Sequence, residues 1–253
     1  MKKYLVGFVC LMLICLPTLS AAAEFTHTVF AEYGTTTTCP YCPPTSADLY
    51  SIYQSEDYPF YYVSLVANKN KLAGQRLYKY KAVAVPVVYF DGGDVNQVGD
   101  SGETVYRNII ETMGARTVKQ KIDMTTAVTW LGSAKVKVSV TLKSQGLYIG
   151  ILRSYVTEIV SRWLDADGYP YHFAFLDFAI NRPVILLPGI QRTFTKIFDG
   201  AATHGDQTFE DITQDNIMVI STISYWMPQK RTGYDDKTYY AFIVDQTSAD
   251  TAQ

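Results

Sequence analysis

The tetrad Cys39-Pro40-Tyr41-Cys42 constrains this chain more than any other feature. The sequence has four cysteines in 253 residues. Cys10 and Cys15 fall in an N-terminal stretch patterned as a secretory leader. Lys2 and Lys3 form its basic start, Leu5 to Leu16 an apolar run, and Ser20-Ala21-Ala22-Ala23 the small residues before a cleavage placed after Ala23. The run is short for a bilayer span, and a retained N-terminal anchor is the alternative. Ile14 stands before Cys15 where a lipoprotein signal would carry a small residue, which argues against lipid attachment there. Once the leader is removed, Cys39 and Cys42 are the only thiols. A bridge closing so short a loop restrains the unfolded chain little, so a purely structural disulfide gains little here. What remains is redox chemistry, or half of a metal site.

A metal site needs a second pair of ligands. His27, His172 and His204 are dispersed without ligand spacing, so the reading is no metal and no organic cofactor. Net charge is −2 and becomes about −4 when the two leader lysines leave. That balance offers no basic stripe for nucleic acid. The twenty tyrosines fit half-exposed sheet surfaces before they suggest a site.

Periodicity divides the rest near Arg116. Before it, the expected order is β-α-β-α-β-β-α. His27–Tyr33 is a strand, and a helix starts after Cys42, where Pro43 and Pro44 suit a first turn. Phe60–Val66 is a strand, Asn70–Tyr80 a helix, and Val83–Phe90 a strand turning at Asp91-Gly92-Gly93 into Asp94–Val98. Ser101–Met113 is a helix with Ser101 as its cap. Beyond Arg116, strand patterns dominate: 122–130, 134–142, 150–158, 171–180, 191–198, 217–226 and 239–246. Val136, Val138, Val140 and Leu142 alternate with polar neighbours in the way of a half-buried strand. Seven such strands suggest a β-sandwich, and 199–216 reads as a polar loop.

A C-x-x-C opening a helix is reactive for a physical reason: terminal N–H groups and the helix dipole stabilise the first thiolate. Cys39 is then the nucleophile that forms a mixed disulfide, and Cys42 resolves it. Tyr41 adds an amphipathic contact surface. Val85-Pro86 interrupts an apolar strand, and a central strand disfavours proline. A cis bond facing the cysteines, with the Val85 backbone free to pair with substrate, resolves the conflict. An ordinary edge-strand proline is the alternative. Glu32, an acid within the first strand, reads either as a proton acceptor for Cys42 or as a solvent-facing residue.

Together HTVFAEY, CPYC opening a helix, VAVPVVYF with its proline, and the DGG hairpin before a closing helix resemble the thioredoxin superfamily. The resemblance spans residues 24–116. It implies a thioredoxin-like α/β domain with a cis Pro86 and Cys39 as nucleophile. CPYC is similar to glutaredoxins and some periplasmic disulfide isomerases, and Val before the proline is similar to periplasmic disulfide-forming enzymes. Thr38 stands where the family usually has Trp, Gly34–Thr38 lengthens the loop before Cys39, and the helical insertion of the disulfide-forming enzymes is absent.

The combined expectation has three parts: a leader over 1–23, a thioredoxin-like α/β domain over 24–116, and an all-β, Ig-like sandwich over 117–253. The activity expected is exported thiol–disulfide exchange, periplasmic or at the cell surface. Its partners would be protein thiol or disulfide substrates and a redox recycling protein, with oxidase or isomerase work favoured over reduction. The alternative is an envelope-associated binding or adhesion protein. In that case the first domain is a scaffold, and Trp130, Trp163 and Trp226 supply aromatic contacts.

Overall fold

A computed structural model describes residues 24–233 and 236–253. The leader assigned to 1–23 lies outside them. In chain order the elements are β1 (Val29–Thr35), α1 (Cys42–Ser55), β2 (Phe60–Val66), α2 (Lys71–Lys79), β3 (Val87–Phe90), β4 (Val95–Val98) and α3 (Glu103–Gly114). There follow β5 (Ile122–Gly132), β6 (Lys135–Ser144), β7 (Tyr148–Leu164), β8 (Pro170–Leu186), β9 (Gln191–Asp199), β10 (Ile217–Tyr225), β11 (Gln229–Thr232), β12 (Thr238–Ala241) and β13 (Val244–Thr251).

Every residue of β1 is buried, as a strand covered on both faces requires. It runs parallel to β2 and antiparallel to β3. Asn70 opens α2 by accepting from the Leu72 N–H at 2.9 Å, and its own amide donates to the Phe175 and Leu176 carbonyls on β8. One side chain thus caps a helix and ties it to a distant strand. Leu77 on α2 packs over Gly34, where a Cβ would come within 2.8 Å of it. On α3, Tyr106, Ile110 and Met113 recur at helical spacing and are buried.

The strands of both stretches join one mixed sheet of eight, in the order β13-β10-β7-β8-β2-β1-β3-β4. This corrects the expected fold class. Among the described residues, half are in strands and 17% in helices, with three α-helices. The early strands do not make a self-contained thioredoxin-like α/β sheet, and no separate Ig-like sandwich follows them. The reason is the length of β7 and β8. Each runs 17 residues rather than nine or ten, and β8 closes on the edge of β2 through Ser64↔Ala174. The Ser64 hydroxyl adds a bond to the His172 carbonyl at 2.8 Å.

Sandwich character is nevertheless present. The three-stranded sheet β5-β6-β9 packs on one face of the large sheet. Val136, Val138, Val140 and Leu142 meet Leu152, Val156, Leu176 and Ile180 there in an apolar core distinct from the one around β1. Arg116, where the sequence pattern changes, knits the two stretches together. It bridges Asp91 at 3.2 Å and Asp245 at 3.4 Å, and Asp91 also binds the buried His27 at 2.8 Å. Ser101 does not cap α3. Gly102 holds that position without a side-chain bond, and the Ser101 hydroxyl accepts from Gln97. The strand expected over 239–246 is two, β12 and β13.

Candidate functional site

Cys39 and Cys42 are joined in a disulfide. Cys42 is the first residue of α1 and Tyr41 its cap, so Cys39 lies in the turn leading into the helix, held by the Cys42 N–H donating to the Cys39 carbonyl at 3.3 Å. Two of the first three helical residues are prolines, which removes two N–H donors from the end that faces the sulfurs. Cys42 is fully buried, while Cys39 keeps 7% of its surface open. Pro40 is exposed, and Tyr41 is 72% exposed at the rim.

The Val85–Pro86 bond is cis, as the sequence pattern implied, and Pro86 is buried. The Val85 carbonyl lies 3.8 Å from the Cys39 sulfur. Residues 83–86 stand outside β3, which begins at Val87. Cys39, Cys42, Tyr41, Val85 and Pro86 are therefore brought together.

Glu32 is placed elsewhere. Successive strand residues face opposite sides. Tyr33 reaches α1, where its hydroxyl donates to the Cys42 carbonyl at 2.8 Å. Glu32 points the other way, toward α2. There it accepts two bonds from the Arg76 guanidinium at 2.6 and 2.8 Å, one from Tyr155 at 2.9 Å, and one from the Tyr80 hydroxyl. Burial alone would raise its pKa, but the charge and bonds of Arg76 outweigh it and hold Glu32 below the usual carboxylate range. Burial raises the Tyr80 and Tyr155 phenols, so both stay protonated donors. Glu32 is thus neither a solvent-facing residue nor placed to take a proton from Cys42; it is the anion of a buried ion pair.

Sequence reasoning missed the supports of the loop before Cys39. Tyr171 of β8 bonds Thr35 at 3.0 Å and donates to the Thr36 carbonyl at 3.1 Å. Asn68 accepts from the Thr37 N–H at 3.0 Å and donates to the Thr37 hydroxyl at 2.8 Å. Tyr171 is remote in sequence and gives no local signal. Two hollows flank the pair. One of about 380 Å³ lies between the start of α1 and the tip of the β7–β8 hairpin, lined by Pro43, Tyr50, Asp165, Tyr169 and His172. The other, about 300 Å³, is apolar and runs along Leu77, Tyr78 and Ala82–Val85. His172 stacks on Tyr50 with centroids 3.4 Å apart, and burial lowers its pKa.

Trp130 and Trp163 pack against the core, and Trp226 is partly exposed. Among the described residues no group of three His, Cys, Asp or Glu is placed to hold a metal ion. No described helix is long and apolar enough to cross a membrane.

No family model matches this sequence, and no curated protein matches it. Among solved structures, a structural-genomics protein from Agrobacterium tumefaciens aligns over 90% of this chain and 95% of its own, with a TM-score of 0.51 and 12% identity. A β-glucosidase from Kluyveromyces marxianus aligns over 53% of this chain and 14% of its own, with a TM-score of 0.28 and 11% identity. A Listeria innocua β-glucosidase bound to isofagomine gives 53% and 16%, a TM-score of 0.30 and 11% identity. The chain thus spans a small part of the β-glucosidases. Its likeness to the Agrobacterium protein is one of overall fold.

Proposed function

We propose that this chain is an exported thiol–disulfide oxidoreductase that exchanges disulfides with protein substrates through Cys39 and Cys42. The observation that carries the reading is the Cys39–Cys42 disulfide at the mouth of α1, with the Val85 carbonyl against the more open sulfur. Export rests on the leader pattern of residues 1–23.

In the oxidising direction, a substrate thiolate attacks the Cys39 sulfur and the Cys39–Cys42 bond breaks. Cys42 leaves as the thiolate and takes a proton from water. A second substrate thiolate then attacks the substrate sulfur of the mixed disulfide, forming the substrate disulfide and releasing Cys39 as a thiolate. Two electrons pass to the chain, and a recycling disulfide partner removes them. Isomerisation uses the dithiol form, with Cys39 attacking a wrongly paired substrate disulfide. Tyr41, Val85 and the apolar hollow along Tyr78 and Val83 offer an extended, unfolded client a surface beside the sulfur. Pro86 holds that segment in place.

The test is oxidation of a reduced protein and refolding of a scrambled one by the mature chain. Cys39→Ser is expected to abolish both activities, and Cys42→Ser to accumulate mixed disulfides through Cys39. A wild-type chain inactive in both assays, or a Cys42→Ser variant that traps no client, overturns the proposal.

A further inference from the structure

A further cavity lies on the α2 side of the sheet, away from Cys42. It measures about 680 Å³ and is walled by α2, β7, β8 and the β12 strand. Its chemistry is unbalanced. Arg76 and Arg153 both line it, with Lys79 and Lys81 exposed at its mouth. Arg76 is neutralised by Glu32. Arg153 is not. Only 7% of its surface is open, yet among the described residues its guanidinium has no hydrogen bond or ion pair, and it lies 5.8 Å from the centre of the Phe242 ring. Asp177, the carboxylate on the cavity wall, is already taken. One oxygen binds His204 at 2.7 Å and the other accepts from the Phe178 N–H at 2.6 Å.

An arginine stays protonated in proteins, and a buried charge without a partner is costly. Desolvation and the neighbouring Arg76 act against the charged form of Arg153, and Tyr155, Tyr80 and the more distant Glu32 offset them only in part. The remaining walls include Phe178, Tyr240 and Phe242, which are flat and apolar on their faces. We propose that this cavity binds a small organic anion, with one carboxylate or phosphate on the Arg153 fork and a flat apolar body against these rings. A guanidinium fork suits a planar oxyanion, and the volume suits a small molecule rather than a chain segment. Lys79 and Lys81 draw the anion to the mouth.

The experiment is calorimetric titration of the full chain with 2-naphthoate, 2-naphthyl phosphate, neutral 2-naphthamide and inorganic phosphate. At least one of the two naphthyl anions is expected to bind about tenfold or more tightly than the amide and than inorganic phosphate, and which one identifies the headgroup. Arg153→Met is expected to lose about 10- to 100-fold in affinity while its thermal midpoint holds or rises, because an unpaired charge has been removed. Arg153→Lys keeps the charge without the fork, and so answers the question even where the methionine variant folds poorly. It is expected to lose about tenfold. Equal binding of the anions and the amide, no binding of either naphthyl anion, or full affinity in Arg153→Lys overturns the proposal.

Discussion

The two ends of the eight-stranded sheet solve burial differently. At the β1–β4 end, helices cover the strands, and β1 is buried along its whole length. At the β7–β10 end three further strands lie on the sheet, and β6 alternates buried and half-exposed residues. The first arrangement hides both faces of a strand and can enclose a charged pair. The second buries β10 almost as completely, its alternate residues divided between the two cores, and leaves the one-faced apolar alternation to the covering strand β6. Glu32 stands at the seam, because Arg76 reaches it from α2 and Tyr155 from β7.

The sharpest test of that seam is Glu32→Ala. It strands the buried Arg76 guanidinium without its anion and deprives Tyr80 and Tyr155 of an acceptor. A loss of about 3–5 kcal/mol is expected in urea unfolding. A variant within about 1 kcal/mol of the parent would show that the pair does not hold the two ends together.

Leu49→Ala on α1 and Leu142→Ala on β6 each open a cavity in a different core, at about 2–5 kcal/mol. If the shared sheet makes one cooperative unit, both variants lower the midpoint of a single transition, seen alike by tyrosine fluorescence and backbone circular dichroism. Two separated transitions in either variant would divide the ends thermodynamically.

The smallest effects are read with pH. The folded pKa of Glu32 is depressed. Its stabilisation is therefore present above the ordinary glutamate value of about 4.3 and is lost as pH falls through the folded pKa. Glu32→Gln should flatten that acid limb of the stability profile. His172 is also depressed, so the unfolded chain binds its proton more readily. Stability is full above the ordinary histidine value of about 6.5 and declines as pH drops below it. A His172→Gln variant with the same slope between pH 5 and 7 would remove His172 as the cause.

Much of the helix-bearing end is legible in local pattern. Phe60–Val66 reads as a strand because an apolar, β-branched and aromatic run of seven has few other uses, and β2 has those bounds. The alternation of β6 is equally plain. Cys39, Cys42 and Pro86 were readable because each breaks a local rule. Glu32 shows where such reading ends. Its partners lie 44 and 123 positions away, and only the folded chain decides which face of β1 it occupies. The extra length of β7 and β8 was missed for a related reason. Their outer portions carry polar and charged residues such as Arg162, Asn181 and Arg182, which imitate turns in sequence. Arg153 gave no signal at all, since an arginine on a strand reads as a solvated one.

The union of β2 with β8 makes the chain vulnerable while it is being made. FYYVSLV is an uncharged, aromatic segment, and its outer edge stays open until Ala174 arrives to meet Ser64. A ribosome delivering the chain in order presents that edge to the surroundings while more than a hundred further residues are still to come. A fragment cut near Arg116 would keep it open permanently and invite edge-to-edge association. The first half therefore presents an unfinished sheet edge, which a strand from the second completes.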